Sequence, residues 1–381
     1  MRLLYITETY GGLTETFISD LTSALNVEVQ SLCVVADTHQ KSQSCDGLQL
    51  RSISFRKRRI RKLARILQND RFRVSNAING FANSLSSADF DALIREYKPD
   101  AAIIDFGQNI MPAAKILSKS NIPFLLHLHA MDITSLLADD YYRSSLHSAF
   151  ASAKAMVGPS EHIRRLMVLE GADPKKCHKV QLGVSSIVEP ISWEERFRQG
   201  ISLCFVGRFV SKKNPIALVE MMRIVVSKIP SCKLVAIGSG PLVEPFIARV
   251  QLHGLSDNVA HFEGMPRNEA MQILNRASVY VQHSVTDRTG DQEGWPVIIG
   301  EASSLGLPIV STTHSGIVEQ VVDGVNGYLV PENDFEKMAE KVMALLNDRE
   351  LIQRFGAESK RLSSLYDHTA RARRLIALLK A

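Results

Sequence analysis

The sequence predicts an α/β protein made of two facing, Rossmann-like doubly wound domains with parallel sheets. Three observations carry this expectation. Short β-branched runs alternate with amphipathic stretches of helical period along most of the chain, which is the pattern of βαβ units. The alternation breaks once, at Pro190-Ile191-Ser192-Trp193-Glu194-Glu195, which looks like a linker, and then starts again. The length of 381 residues suits two domains at about 150 residues each, and 45% hydrophobic content lets each bury a core.

In the first series, strands are predicted over 3–7, 27–35, 101–105, 123–127 and 155–157, with helices over 14–25, 111–118, 141–153 and 161–171. In the second, strands over 201–206, 233–237, 259–262, 279–282 and 308–311 alternate with helices over 215–228, 242–252, 268–277 and 297–305. The domains are expected at 1–187 and 188–365, with a last helix at about 366–381 returning to the first. Doubly wound sheets bind ligands at the carboxyl ends of their strands, so the segments after strands are the ones to read for function.

Composition excludes several classes. No apolar run approaches the ~20 residues of a transmembrane helix, and the apolar start meets Glu8 too soon for a signal peptide. Cys33, Cys45, Cys177, Cys204 and Cys232 are scattered and odd in number, which fits a reducing cytoplasm rather than a disulfide scaffold or zinc site. The net charge of +5 is unevenly spread: residues 51–65 carry eight Lys/Arg and no acid, whereas 251–350 carry six Lys/Arg and fifteen Asp/Glu. The basic stretch interleaves Ile60, Leu63, Ile66 and Leu67 with its cations, a pattern suited to an anionic membrane surface or to a solvated helix. Aromatic interleaving is thin, so nucleic acid is not expected as a partner.

The most informative stretch is Asp291-Gln292-Glu293-Gly294-Trp295-Pro296-Val297-Ile298-Ile299-Gly300-Glu301. Pro296 suits a first helical position, which sets Glu293 just before a helix and Glu301 inside it. Eight residues at ~1.5 Å rise separate the carboxylates by about 12 Å along the axis, the reach of a sugar–diphosphate–ribose unit. The helix start between them offers free N–H groups and a positive dipole end to a diphosphate. In Gly207-Arg208-Phe209-Val210-Ser211-Lys212-Lys213-Asn214-Pro215 a strand ends before two cations, Arg208 and Lys213, that suit the same anion or a solvated basic loop. Gly238 in Gly238-Ser239-Gly240 opens a strand–helix turn, and Gly264-Met265 follows another strand whose backbone suits a base. In the first half, Gly11-Gly12 lets a backbone approach a ligand. His127 and His129 share a direction, but no third metal ligand stands near them in the sequence. Asp89-Phe90-Asp91 has the form of a metal-holding DxD, yet it opens an amphipathic helix where acids are favoured, so no metal is assigned.

Together these motifs resemble the retaining glycosyltransferases of family 4, which have the GT-B fold. Glu293 and Glu301 look like that family's E-x7-E motif, followed by a matching Leu305-Gly306-Leu307-Pro308; Gly207-Arg208 with Lys213 resembles its GR…K loop, with Asn214 where Gly is usual. His129-Ala130-Met131-Asp132 is similar to its HGxD motif with Ala130 replacing Gly. Thr14-Glu15-Thr16-Phe17-Ile18 and Ser311-Thr312-Thr313-His314-Ser315-Gly316-Ile317 resemble bacterial members that build exopolysaccharide or lipopolysaccharide. The resemblance implies a retaining hexosyltransferase with a UDP-sugar donor, or GDP-mannose, and a saccharide or lipid-linked acceptor bound by the first domain. His129, Glu293, Arg208 and Lys213 would be catalytic. Gly12, Gly238, Gly264, Met265, Gly294, Trp295, Pro296, Val297 and Glu301 would bind the donor. It implies no metal and no cofactor beyond the nucleotide sugar, and a cytoplasmic enzyme, peripheral on the membrane if the basic stretch binds there. Rival readings are an epimerase of the same fold and a silent nucleotide-sugar-binding protein; the first needs an acid/base pair and no acceptor groove, the second has no use for this charged set.

Overall fold

A computed structural model describes residues 1–11, 16–36, 38–39, 48–53, 87–185, 187–198 and 200–381. Gly12 and residues 54–65 of the basic stretch lie outside the described residues, as does Cys45. The chain divides into two compact units, Met1–Gly183 with His368–Ala381 and Val184–Asp367. The divisions fall after Gly183 and after Asp367.

The first unit contains β1 (Arg2–Ile6), β2 (Thr9–Tyr10), α1 (Thr16–Glu28), β3 (Ser31–Ala36), β4 (Thr38–His39) and β5 (Gln49–Ser52). There follow α2 (Ser87–Tyr97), β6 (Ala101–Asp105), α3 (Ile110–Lys119), β7 (Phe124–His127), α4 (Asp140–Ser152), β8 (Ala155–Gly158), α5 (Glu161–Leu169) and β9 (Cys177–Lys179). Its main sheet is parallel in the order β5-β3-β1-β6-β7-β8-β9, and β2 pairs with β4. Strand alternation divides the core: Leu4 and Ile6 join one apolar layer, Leu3 and Tyr5 the other. The strand expected from residue 27 is corrected. Asn26, Val27 and Glu28 continue α1, with Val27 82% exposed on its solvent side, and the strand begins at Ser31. Asp89 stands in the first turn of α2, as a helix-opening acid does, and Asp91 follows just after buried Phe90.

The second unit runs α6 (Trp193–Arg198), β10 (Ser202–Val206), α7 (Pro215–Lys228), β11 (Lys233–Ile237), α8 (Val243–Leu252), β12 (Val259–Phe262) and α9 (Arg267–Arg276). It continues with β13 (Val279–Val281), α10 (Val297–Ser304), β14 (Ile309–Thr312), β15 (Gly327–Val330), α11 (Phe335–Leu346) and α12 (Arg349–Ser363). The last helix, α13 (His368–Lys380), belongs to the first unit, where Ala372, Leu375 and Leu379 enter its core. The second sheet has the order β12-β11-β10-β13-β14-β15, all parallel. In both sheets the order reverses beside the first strand, at β1/β6 and at β10/β13. A crevice opens at such a reversal, because successive crossovers there leave on opposite faces.

The break at 190–195 is not a free linker. Arg196 of α6 is buried, stacks on Trp193 at 4.6 Å, and donates to the carbonyls of Asn275 (2.9 Å) and Leu305 (2.6 Å). The Leu305 carbonyl lies at the end of α10, so Arg196 satisfies a helix terminus that the α10 backbone leaves open.

Candidate active site

The charged set of the second unit gathers at the carboxyl ends of β10 and β13. After β10 the chain makes a single 3-10 turn at Ser211–Lys213, and Asn214 at φ 40° leads into Pro215 at the start of α7. That left-handed conformation favours Gly and tolerates Asn, which explains Asn214 in place of the usual Gly. The turn buries both lysines. Lys213 Nζ lies 3.0 Å from Glu293 Oε1 and 3.4 Å from Gln282 Oε1, while Lys212 Nζ lies 2.9 Å from Asp291 Oδ2 and donates to the Gln292 carbonyl at 3.1 Å. Burial pulls the Lys213 ammonium below its ordinary pKa, with Glu293 opposing. Burial also works against a charge on Glu293, but Lys213 and Lys212 outweigh it and hold that carboxyl below its ordinary value. Arg208 is exposed beside this pair.

Glu293 and Glu301 are each 6% exposed. Glu301 is held by the Arg267 guanidinium, which also reaches the Ser185 carbonyl at 3.4 Å. Pro296 caps α10 rather than starting it, and the helix begins at Val297. Gly294 precedes the cap, so amides of the first turn remain open to an anion. The Trp295 side chain is another matter: it is 4% exposed and packs edge-on against Tyr366 at 5.1 Å, which leaves only its backbone to a ligand.

The turn glycines have packing duties. A Cβ on Gly238 would stand 1.9 Å from the Gly207 carbonyl oxygen, and one on Gly240 would stand 2.5 Å from that of Phe209. Both also hold positive φ, so the strand-end loops after β10 and β11 nest only because these residues lack a side chain. Gly264, at φ 68°, is exposed beside Met265 at the end of β12.

In the first unit, His129 follows β7 and stacks on Phe106 at 4.2 Å. Its Nε2 donates to Asp105 Oδ1 at 2.9 Å, and its backbone N–H donates to Asp132 Oδ2 at 2.7 Å. Ala130 has φ −57°, an ordinary helical value that needs no glycine. Asp105 is the residue that sequence reasoning missed: it lies 24 residues from His129, and β6 and β7 pair as neighbours to bring the two together. It also accepts from the Tyr5 hydroxyl and lies 2.8 Å from His127 Nδ1. Burial opposes its ionisation, yet the two histidines outweigh that and hold it well below the ordinary carboxylate range. Beside Asp105, Phe106 holds φ 64°, unusual for a bulky residue, a feature of the folded backbone that no local sequence signal announces.

Asp105, His127 and His129 offer ligand atoms within 4.8 Å of one another, so the third ligand absent from the local sequence is supplied by the fold. The tautomer argues against a metal. Arg371 Nη2 can only donate and lies 3.4 Å from His127 Nε2, so the His127 proton sits at Nδ1, facing Asp105. A metal at Nδ1 would displace that proton, and the neutral ring would then carry it at Nε2, against the Arg371 guanidinium. Arg51, the described cation of the basic stretch, pairs with Glu96.

Two doubly wound units, with buried lysine–carboxylate pairs at a strand-order reversal, define a two-domain α/β protein of the GT-B type. Residues 191–362, a segment within the second unit, match the family model described as glycosyl transferases group 1. The chain is 27% identical over 262 residues to the putative colanic acid biosynthesis glycosyltransferase WcaL of Salmonella typhimurium, covering 68% of this chain and 64% of WcaL. It is 24% identical to the amylovoran biosynthesis glycosyltransferase AmsK of Erwinia amylovora, covering 66% and 62%. It thus matches under two thirds of these relatives' lengths. Among solved structures, Anabaena Alr3699/HepE in complex with UDP and glucose superposes with a TM-score of 0.77 at 14% identity, covering 100% of this chain and 99% of that one. At that identity the likeness concerns the fold. Among the described residues, no helix is long and apolar enough to cross a membrane.

Proposed function

We propose that the chain is a retaining glycosyltransferase that moves a hexose from a nucleotide-diphosphate sugar, UDP-linked by preference, to a hydroxyl of a saccharide or lipid-linked saccharide in bacterial surface polysaccharide synthesis. One observation carries the reading: Lys213 and Glu293 form a buried pair directly before the open start of α10. Burying both charges is costly unless they serve a ligand or a tight network, and such pairs concentrate at functional sites. The roles of WcaL and AmsK in colanic acid and amylovoran biosynthesis, and the UDP and glucose held by HepE, agree with this direction.

In the second unit, Arg208, Lys213 and the amides of Gly294 to Val297 would hold the diphosphate. Glu301 would accept the ribose hydroxyls and Glu293 a hydroxyl of the transferred sugar. Gly238, Gly264 and Met265 would line the nucleotide through their backbones. In the first unit, His129 is the proposed sugar-facing group, oriented by Asp105. The acceptor oxygen attacks the anomeric carbon on the face from which the diphosphate departs, and a diphosphate oxygen takes the hydroxyl proton. The protein's work is then stabilisation of developing charge, for which two cations and a helix start suffice without a metal.

Calorimetric titration with UDP in EDTA tests the assignment. Arg208→Ala/Lys213→Ala is expected to bind at least tenfold more weakly, since two charge-assisted contacts contribute about 1.5–3 kcal/mol each. Glu293→Gln should bind UDP within about threefold of wild type and lose at least 100-fold in transfer. Wild-type affinity in the double variant, or wild-type turnover in Glu293→Gln, would overturn the reading.

A further inference from the structure

The segment after β14 has no part in the mechanism above, yet it grips the backbone of Glu293 from both sides. Ser311 Oγ donates to the Gln282 carbonyl at 2.7 Å and Thr312 Oγ1 to that of Ser284 at 2.6 Å, which fastens the end of β14 to the chain leaving β13. His314 follows, 2% exposed. Its Nε2 accepts the Glu293 N–H at 3.0 Å, and the Ser315 hydroxyl donates to the Glu293 carbonyl. Ser315 achieves this at φ 46°, a conformation rare outside Gly and Asn.

An imidazole nitrogen that accepts an amide proton cannot carry one, so the His314 proton must sit on Nδ1. There it faces Glu332 Oε1 at 2.6 Å, and the other Glu332 oxygen accepts the Thr286 N–H at 2.9 Å. Glu332 thereby selects the only neutral tautomer of His314 that can hold Glu293. The reverse tautomer would set donor against donor at the Glu293 amide.

We propose that His314, with its tautomer set by Glu332, is a positioning residue for Glu293: it holds the Glu293 main chain so that the carboxylate stands against Lys213 in the geometry that sugar transfer requires. This rests on the reading of Glu293 as the sugar-facing carboxylate. A displaced carboxylate would still permit nucleotide binding through Lys213, Arg208 and the α10 amides, and the loss would fall on turnover.

The experiment compares His314→Leu, which removes the acceptor, with His314→Gln, whose amide oxygen reaches where Nε2 stood, and carries Glu293→Gln alongside. His314→Leu is expected to lose ten- to 100-fold in kcat, keep UDP affinity within about threefold, and be largely rescued in His314→Gln. Nitrogen-15 spectra of the wild-type imidazole should show a protonated Nδ1 and a bare Nε2. A proton at Nε2, or full turnover in His314→Leu while Glu293→Gln is inactive, overturns the positioning role alone. Wild-type turnover in Glu293→Gln overturns the reading beneath it. Joint loss of UDP binding and turnover in His314→Leu makes His314 a structural residue and overturns the proposal too.

Discussion

At the scale of the residue, the first unit sets two buried titrating groups against each other. Burial pushes the Asp132 carboxyl up to about 6 and pulls His127 down to about 4, against the pull of Asp105. A raised acid prefers its neutral form in the fold. Its stabilisation is therefore complete below its ordinary pKa near 4 and is lost as pH rises through about 6. A lowered histidine behaves oppositely between about 4 and its ordinary value near 6.5, where the unfolded chain binds the extra proton and stability rises with pH. The two slopes largely cancel. Asp132→Asn, whose side-chain oxygen can still accept the His129 N–H, removes one of them. The melting temperature of Asp132→Asn relative to wild type is expected to climb between pH 4 and pH 7; a constant difference would mean that Asp132 titrates normally. Neither shift was legible in the sequence. An Asp three residues after a His looks the same exposed or buried, and what surrounds it is supplied by other elements.

At the scale of the element, most strands and helices were legible because periodicity is local. β6 and β11 fall at their expected bounds, and the strand ends at Asp105, Val206 and Phe262 lie where they were expected, although the role of the Asp105 side chain was not legible. The segment at 190–195 misled because Pro190, Ser192 and two acids look like a linker in isolation. Its role lies in Arg196, which spans 109 residues to close the end of α10. The helix whose start is proposed to meet a diphosphate is thus secured at its other end by α6. Arg196→Met keeps the stem on Trp193 but leaves the Asn275 and Leu305 carbonyls unpaired and buried. It is expected to cost about 2 kcal/mol, read as a lower urea midpoint; an unchanged midpoint would show that water serves those carbonyls equally well.

At the scale of the whole molecule, the chain returns to its beginning. α13 packs on α1 and contributes Ala372, Leu375, Ile376 and Leu379 to the first unit's core, while its Arg371 meets His127 across 244 residues. Burying aliphatic side chains contributes about 1.5–3 kcal/mol each, so removing residues 368–381 takes away a large part of that unit's stability. Limited proteolysis should then cleave the first unit rapidly while 184–367 stays resistant. Equal resistance of both would show that α13 is dispensable.

Local signals in the chain suffice for the two α/β series, for the strand ends read as ligand-facing, and for the glutamates, lysine, arginine and histidine proposed for transfer. Those signals are short-range: hydrophobic period, turn residues and charge next to a strand end. Which groups stand beside them is set by the fold. Parallel sheets align the carboxyl ends of strands far apart in the chain, so Asp105 comes to His129, Gln282 to Lys213 and Glu332 to His314. Nothing local encodes those partners, because each pairing depends on the register of strands joined by long crossovers. Asn214 and Ala130 mark the same division. Both departures from motif were visible as letters, but whether each fits was a question of φ, and only the folded backbone answered it.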